Sequence, residues 1–248
     1  IGGLGFIVWH DIVASKFKFK YFQMHTKIVL VATFLLVVIP FAMYYLFEFT
    51  SFGNISTYGD ISIRERILDS LFLSISPRTA GFNSVSLTDL SSGSKGLTMI
   101  LMFIGGNSGS TAGGIKVTTI VVILLNLIAN ARGKDTATVF KQRIPNSIIS
   151  QSCALLFSYL SIFVIASIII TAVDTHADLE SSLFESISAL ATVGLSLNLT
   201  AQLGLFSKIV LILLMYIGRL GAFALFDFLL GSSPSEQLKH PEGRIMVG

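Results

Sequence analysis

Two short stretches carry residue types suited to ion coordination. Thr79-Ala80-Gly81-Phe82-Asn83 and Thr192-Val193-Gly194-Leu195 each set a threonine and a glycine two positions apart, just after an amphipathic run. Glycine has no side chain and accepts torsions closed to other residues. Successive carbonyl oxygens in such a loop can therefore face one axis and replace the water shell of a K+ ion. The coordinating groups would be the backbone carbonyls of Thr79, Ala80, Gly81 and Phe82, and of Thr192, Val193, Gly194 and Leu195. K+ at these residues is the only metal site expected. One such loop cannot enclose an ion; four around an axis can.

The elements that must position these loops are themselves repeated. Ser70-Leu71-Phe72-Leu73-Ser74-Ile75-Ser76 recurs as Ser182-Leu183-Phe184-Glu185-Ser186-Ile187-Ser188, and Lys95 with Met102-Phe103-Ile104-Gly105 recurs as Lys208 with Met215-Tyr216-Ile217-Gly218. Ile1-Gly2-Gly3-Leu4-Gly5 aligns with Ile104-Gly105-Gly106 and with Ile217-Gly218-Arg219-Leu220-Gly221, so the chain begins inside a repeat. An ordinary turn would account for either Thr-x-Gly loop alone. Duplication at constant spacing argues against that, because each copy is one structural unit.

The composition places these units in a membrane. Of the 248 residues, 52% are hydrophobic and only 12% charged, against about 25% charged in a soluble domain; the mean hydropathy is +0.78. Ile28 to Phe47, Gly96 to Ile115 and Ile144 to Val173 carry no charge, and roughly 20 such residues cross the hydrocarbon. The net charge of +3 does not signal nucleic acid, because the basic residues gather in two intervals: Lys16, Lys18, Lys20 and Lys27, then Arg132, Lys134, Lys141 and Arg143. Excess Lys and Arg marks cytoplasmic loops. Both intervals and the C-terminal tail are therefore placed inside, and both Thr-x-Gly loops open to the outside.

Taken in order, residues 1–20 end one repeat and 21–143 form the next, with an outer helix over Ile28 to Phe47, an outside loop over Thr50 to Asp60 and a half-helix over Ile67 to Ser76. Residues 144–231 form the last repeat, with helices near Ile148 to Val173, Leu183 to Leu190 and Ser207 to Gly231, and 232–248 form a cytoplasmic tail. Pro77 ends the first half-helix, since the residue before proline is pushed out of the helical region. The fold class is all-α integral membrane: tandem units of helix, re-entrant pore loop and helix around a pseudo-fourfold pore.

A second stretch interrupts an apolar helix. Gly105-Gly106-Asn107-Ser108-Gly109-Ser110-Thr111-Ala112-Gly113-Gly114, followed by Lys116, has five glycines in ten residues. Glycine costs roughly 1 kcal/mol per helical position, and broken backbone at membrane depth persists only where protein or a cavity satisfies it. In the repeat alignment Arg219 stands where Gly106 stands, so near-fourfold symmetry puts both at one depth. An intramembrane charge is expensive and usually functional. The tract, held partly by Arg219, is expected to gate the pore. Helix packing through small residues and, for Arg219, snorkelling to an interface or pairing with Asp227 are the plainer alternatives.

Other chemistries fit less well. Gly106-Asn107-Ser108-Gly109 resembles the nucleophile motif of rhomboid-type intramembrane serine proteases, but a serine nucleophile needs a histidine base. His10, His25, His176 and His240 all lie near predicted helix ends or loops, where solvent exposure is expected. Gly109 to Lys116 lacks the Gly-Lys-Ser/Thr ending of a phosphate-binding loop. Carriers with alternating access use inverted repeats, whereas both repeats here run in the same direction. No enzyme activity and no cofactor in this chain are expected. The single cysteine, Cys153, reads as a small packing residue.

Phe103 to Lys116 (FIGGNSGSTAGGIK), Ser76 to Asn83 (SPRTAGFN) and Ala191 to Ser196 (ATVGLS) together resemble the third and fourth pore repeats of the Ktr/Trk/HKT superfamily of cation transporters, closest to the membrane-spanning Ktr subunits within it. The resemblance covers essentially the whole chain. It implies a K+ uptake protein with four tandem pore repeats, of which the first two filter loops are missing here, and one filter glycine per repeat. It also implies a homodimer in a bacterial plasma membrane, surrounded by lipid, and control by a cytosolic nucleotide-binding regulatory ring. Gly-Arg-Leu-Gly-Ala at 218–222 departs from the Gly-Arg-x-Gly-Pro of that superfamily.

Overall fold

The computed structural model describes residues 2–49, 62–134, 136–140 and 142–221. The outside loop expected at Thr50 to Asp60, the end of the last helix, Asp227, His240 and the tail lie outside the described residues. Eight α-helices are described: α1 (Phe6–Ala14), α2 (Met24–Phe49), α3 (Ile63–Ile75), α4 (Ser92–Phe103), α5 (Val117–Ala131), α6 (Asn146–Val173), α7 (Leu179–Leu190) and α8 (Leu205–Leu220). A two-stranded hairpin, β1 (Thr138–Val139) with β2 (Gln142–Arg143), joins α5 to α6.

Helices α2 and α6, at 26 and 28 residues, are the two described helices long and apolar enough to cross a membrane. Their free faces are apolar: Phe34, Leu35 and Ile39 on α2, and Phe157, Ile165 and Ile168 on α6, are exposed. In water such faces would be a liability; in lipid tails they are the solvated surface. Pro40 lies inside α2 and is buried. Cys153, expected to be a packing residue, is exposed on α6, on the side the apolar residues share with the bilayer.

Helices α3 and α7, 13 and 12 residues long, rise only about 20 Å at 1.5 Å per residue, short of the roughly 30 Å hydrocarbon layer. Helix α3 begins four residues earlier than the apolar pattern indicates, because Ser62-x-x-Glu65 forms a capping box: the Ser62 hydroxyl accepts from Glu65 N at 3.3 Å and Glu65 Oε2 accepts from Ser62 N at 3.0 Å. Two orphan amides are thereby satisfied at the helix start. The repeated serines explain the packing. Ser70, Ser74 and Ser76, and Ser182, Ser186 and Ser188, are all buried, and small side chains let neighbouring backbones approach.

The two repeats pack alike. Each half-helix lies against its own outer helix (α3 on α2, α7 on α6) and its own inner helix (α3 with α4, α7 with α8). The repeats meet where α4 packs on α7, and one buried cluster including Tyr44, Leu73, Leu101, Phe184, Ile187 and Val193 runs across that junction. A carboxylate fastens each inner helix at its start. Glu48 Oε1, fully buried at the end of α2, accepts from the N–H (3.0 Å) and hydroxyl (2.7 Å) of Ser91, the N-cap of α4. Asp174 Oδ1, at the end of α6, accepts from the N–H of Gly204, the N-cap of α8, at 3.1 Å. Lys95 and Lys208 then fall in the first turns of α4 and α8.

Candidate functional site

The two Thr-x-Gly loops adopt one conformation. Thr79 and Gly81 have φ of 71° and 76°, and Thr192 and Gly194 have φ of 54° and 92°. A left-handed threonine is unusual; strain of this kind concentrates at functional sites. Each loop folds back on the end of its half-helix. The Ser76 carbonyl accepts from Ala80 N (3.0 Å) and Gly81 N (3.2 Å), and the Ser188 carbonyl accepts from Val193 N at 2.9 Å.

The loops touch each other. A side chain on Gly81 would collide with the Val193 carbonyl oxygen, whereas the space beside Gly194 is open. Gly81 is thus brought against Val193 and Gly194 at the junction of the repeats, while Phe82 is exposed. Beyond Gly194 the chain is held by Glu185, buried in α7: Oε1 accepts from the Ser196 hydroxyl at 2.5 Å and Leu197 N at 3.0 Å, and Oε2 from the Thr200 hydroxyl at 2.6 Å. The first repeat has Leu73 at this position, and there the Ser76 hydroxyl donates to the Phe82 carbonyl instead.

The glycine tract is an ordered loop between α4 and α5. Gly105 N donates to the Ile115 carbonyl (3.0 Å) and Val117 N to that of Gly106 (3.1 Å), closing its base. Gly109 and Gly114 are left-handed, at φ 76° and 71°. The loop is tied on both flanks. Asn107, fully buried, donates through Nδ2 to the Gly3 carbonyl at 2.8 Å and to the Thr33 hydroxyl at 3.2 Å. Arg219 Nη1 donates to the Thr111 carbonyl at 2.6 Å. Lys116 Nζ donates to the Ala112 carbonyl. Gly3, Gly106 and Arg219 are equivalent in the sequence alignment of the repeats, so the loop is gripped by its counterparts in the preceding and following units. The equivalent backbones agree: Gly5 has φ 86° and ψ 144°, and Gly221 has φ 90° and ψ 141°.

Loop and tract are neighbours. A Cβ on Gly113 would lie 2.6 Å from the Ala191 carbonyl and would overlap the Thr192 side chain. A cavity of about 450 Å³ has Arg78, Thr79 and Ala80 in one wall and Gly106, Thr111 and Ala112 in another. Arg78 directly precedes Thr79, and that adjacency is its only mark in the sequence; its buried Nε has no hydrogen-bond partner.

The serine of the tract is not arranged as a nucleophile. Ser108 Oγ pairs with Thr118 Oγ1 at 2.9 Å. His25, expected in solvent, is half-buried in the first turn of α2 and lines a cavity of about 340 Å³ with Ser108, but the Ser108 hydroxyl bonds to the threonine. Among the described residues there is no cluster of three or more His, Cys, Asp or Glu that could hold a metal ion.

Apolar spans, half-helices and a glycine-rich break tied to its neighbours by hydrogen bonds define an all-α integral membrane protein. Residues 10–240 match the TrkH family model, described as cation transport protein, and the chain belongs to that family. It is 38% identical over its whole length to the potassium/sodium uptake protein NtpJ of Enterococcus hirae, covering 55% of it. It is 36% identical, again over its whole length, to the Ktr system potassium uptake protein B of Bacillus subtilis and of Vibrio alginolyticus, covering 54% and 53% of them. The chain therefore spans about half the length of these relatives. Its fold superposes on the crystal structure of the potassium transporter TrkH from Vibrio parahaemolyticus with a TM-score of 0.71, covering 92% of this chain and 49% of that one, at 24% identity.

Proposed function

We propose that this chain is half of a K+ uptake pore of a bacterial plasma membrane, and supplies two of its filter loops and its gate. The observation that carries the reading is the contact of the two Thr-x-Gly loops, Gly81 against the Val193 carbonyl, in a shared left-handed conformation. Residues 21–143 and 144–231 are then the third and fourth repeats, 1–20 the end of the second and 232–248 a cytoplasmic tail. The carbonyls of residues 79–82 and 192–195 replace part of the K+ hydration shell, and the first two repeats complete the ring. The names of the relatives support potassium as the cargo, with sodium in that of NtpJ.

The Gly105 to Gly114 loop, with Lys116 and Arg219, closes the path on the cytoplasmic side of the filter. Its contacts are a few hydrogen bonds rather than a packed apolar face, so it can be displaced without unfolding its neighbours. A homodimer whose cytoplasmic face meets a nucleotide-binding regulatory ring supplies the displacement, as the Ktr likeness implies.

The test is K+ and Na+ uptake by the full-length protein in a bacterium lacking its own K+ uptake, with Gly81→Ser and Gly194→Ser beside the wild type. Growth at low K+ with wild type, and its loss or Na+ entry with either variant, supports the filter. Equal behaviour of all three overturns it.

A further inference from the structure

The connection between α1 and α2 holds chemistry that transport does not use. Residues 16–21 read Lys-Phe-Lys-Phe-Lys-Tyr, a strict alternation of cation and ring, and the sequence has no acidic residue between Asp11 and Glu48. Asp11 itself is buried, with Oδ2 accepting from Gln23 N at 2.9 Å. The rings are out: Phe17 is 72% exposed and Tyr21 66%. Lys16, Lys18 and Lys20 are exposed beside them.

The hairpin between the repeats adds to this surface. Lys27 Nζ lies 5.9 Å from the ring centroid of Phe19 and 5.8 Å from that of Phe140, at the hairpin turn, and donates to the Lys20 carbonyl at 3.1 Å. The lysine thereby clips the two cytoplasmic connections together. Phe140 is also half-exposed, and Arg143 is exposed on the returning strand.

We propose that this ledge is a binding site for the anionic phospholipid headgroups of the inner leaflet. It sits where α1 and α2 leave the apolar layer, the level at which aromatic rings of membrane proteins settle among headgroups. Lysine stems can lie along apolar surface while their ammonium groups reach phosphate, and basic residues at this level attract anionic lipid. Exposed rings alternating with cations match one headgroup layer, apolar below and anionic above. The site goes beyond the transport reading and depends only on its membrane orientation.

The experiment is native mass spectrometry of the detergent-purified full-length protein, titrated with phosphatidylglycerol, cardiolipin or phosphatidylcholine. The wild type should hold the two anionic lipids at least tenfold more tightly than phosphatidylcholine. The Lys16→Gln, Lys18→Gln, Lys20→Gln triple variant should bind all three alike, and added salt should weaken the wild type toward that level. Charge reversal at the exposed Lys18 alone should give an intermediate loss, in a protein melting as the wild type does. Equal affinity of the wild type for all three lipids, or a triple variant that binds as the wild type does, overturns the site. So does a triple variant that keeps its lipids but no longer captures the cytosolic regulatory subunit, since the ledge would then be a protein dock.

Discussion

Arg219 and Thr111, 108 positions apart in sequence, are joined by a 2.6 Å hydrogen bond from the guanidinium Nη1 to the backbone carbonyl. The bond is charge-assisted, but Arg219 is exposed, so solvent screening leaves it about 1 kcal/mol, and it ties the glycine tract to α8. If the tract is the gate, Arg219→Ala should raise K+ flux through the full-length protein in liposomes without its activator by about tenfold. Arg219→Lys should fall between, because lysine keeps the charge but not the planar fork. Unchanged flux in both would show that the bond does not hold the pore shut.

Asn107 holds the other flank through Gly3 and Thr33. Removing its amide takes the side-chain donor from the half-buried Thr33 hydroxyl and one of two donors from the Gly3 carbonyl, which keeps the Asn107 backbone N–H at 3.0 Å, a loss of about 1 kcal/mol. Asn107→Ala should lower the melting temperature in detergent and raise basal flux, and with Arg219→Ala should raise flux further than either alone. If the double variant matches Arg219→Ala, Asn107 does not restrain the loop.

The two loop glycines should respond unequally. Both have positive φ, so alanine costs about 1–2 kcal/mol at either, but only at Gly81 would the new methyl meet a carbonyl, that of Val193. Gly81→Ala is expected to abolish K+ uptake, and Gly194→Ala to reduce it and admit more Na+. Uptake assays at matched expression measure both, and the reverse order would contradict the geometry.

Glu185 organises the chain after Gly194 with three accepted hydrogen bonds. Glu185→Leu copies the residue of the first repeat, Leu73, yet leaves Ser196, Leu197 N and Thr200 without their acceptor. Reduced thermal stability and weakened K+ over Na+ discrimination are expected, with partial recovery in Glu185→Gln. Wild-type selectivity in the leucine variant would confine Glu185 to a structural role.

Glu48 and Asp174 fasten the starts of α4 and α8. Carboxylates at helix N-termini contribute through both hydrogen bonds and the helix dipole. Glu48→Ala should be the more destabilising, because Glu48 is fully buried and accepts two bonds from Ser91. Detergent melting curves of the two single alanine variants give the order.

The sequence determined the parts that depend on neighbours along the chain. Uncharged runs set α2 and α6 because length and polarity alone decide whether a segment can span lipid. Pro77 follows the end of α3 by two residues, although Ser76 before it keeps helical torsions (φ −59°, ψ −41°) rather than being pushed out of them, and the glycine density of 105–114 set the gap between α4 and α5. Duplication exposed the two equivalent loops, and Ser62-x-x-Glu65 is a helix start that could have been read from spacing alone. What only the tertiary structure decided joins residues far apart: Gly81 on Val193, Asn107 on Gly3, Arg219 on Thr111, Glu48 on Ser91. It also placed His25 half inside and Cys153 outside. No local pattern encodes these pairings. The last three arise because helix ends and breaks leave polar backbone that only groups brought from other segments can satisfy.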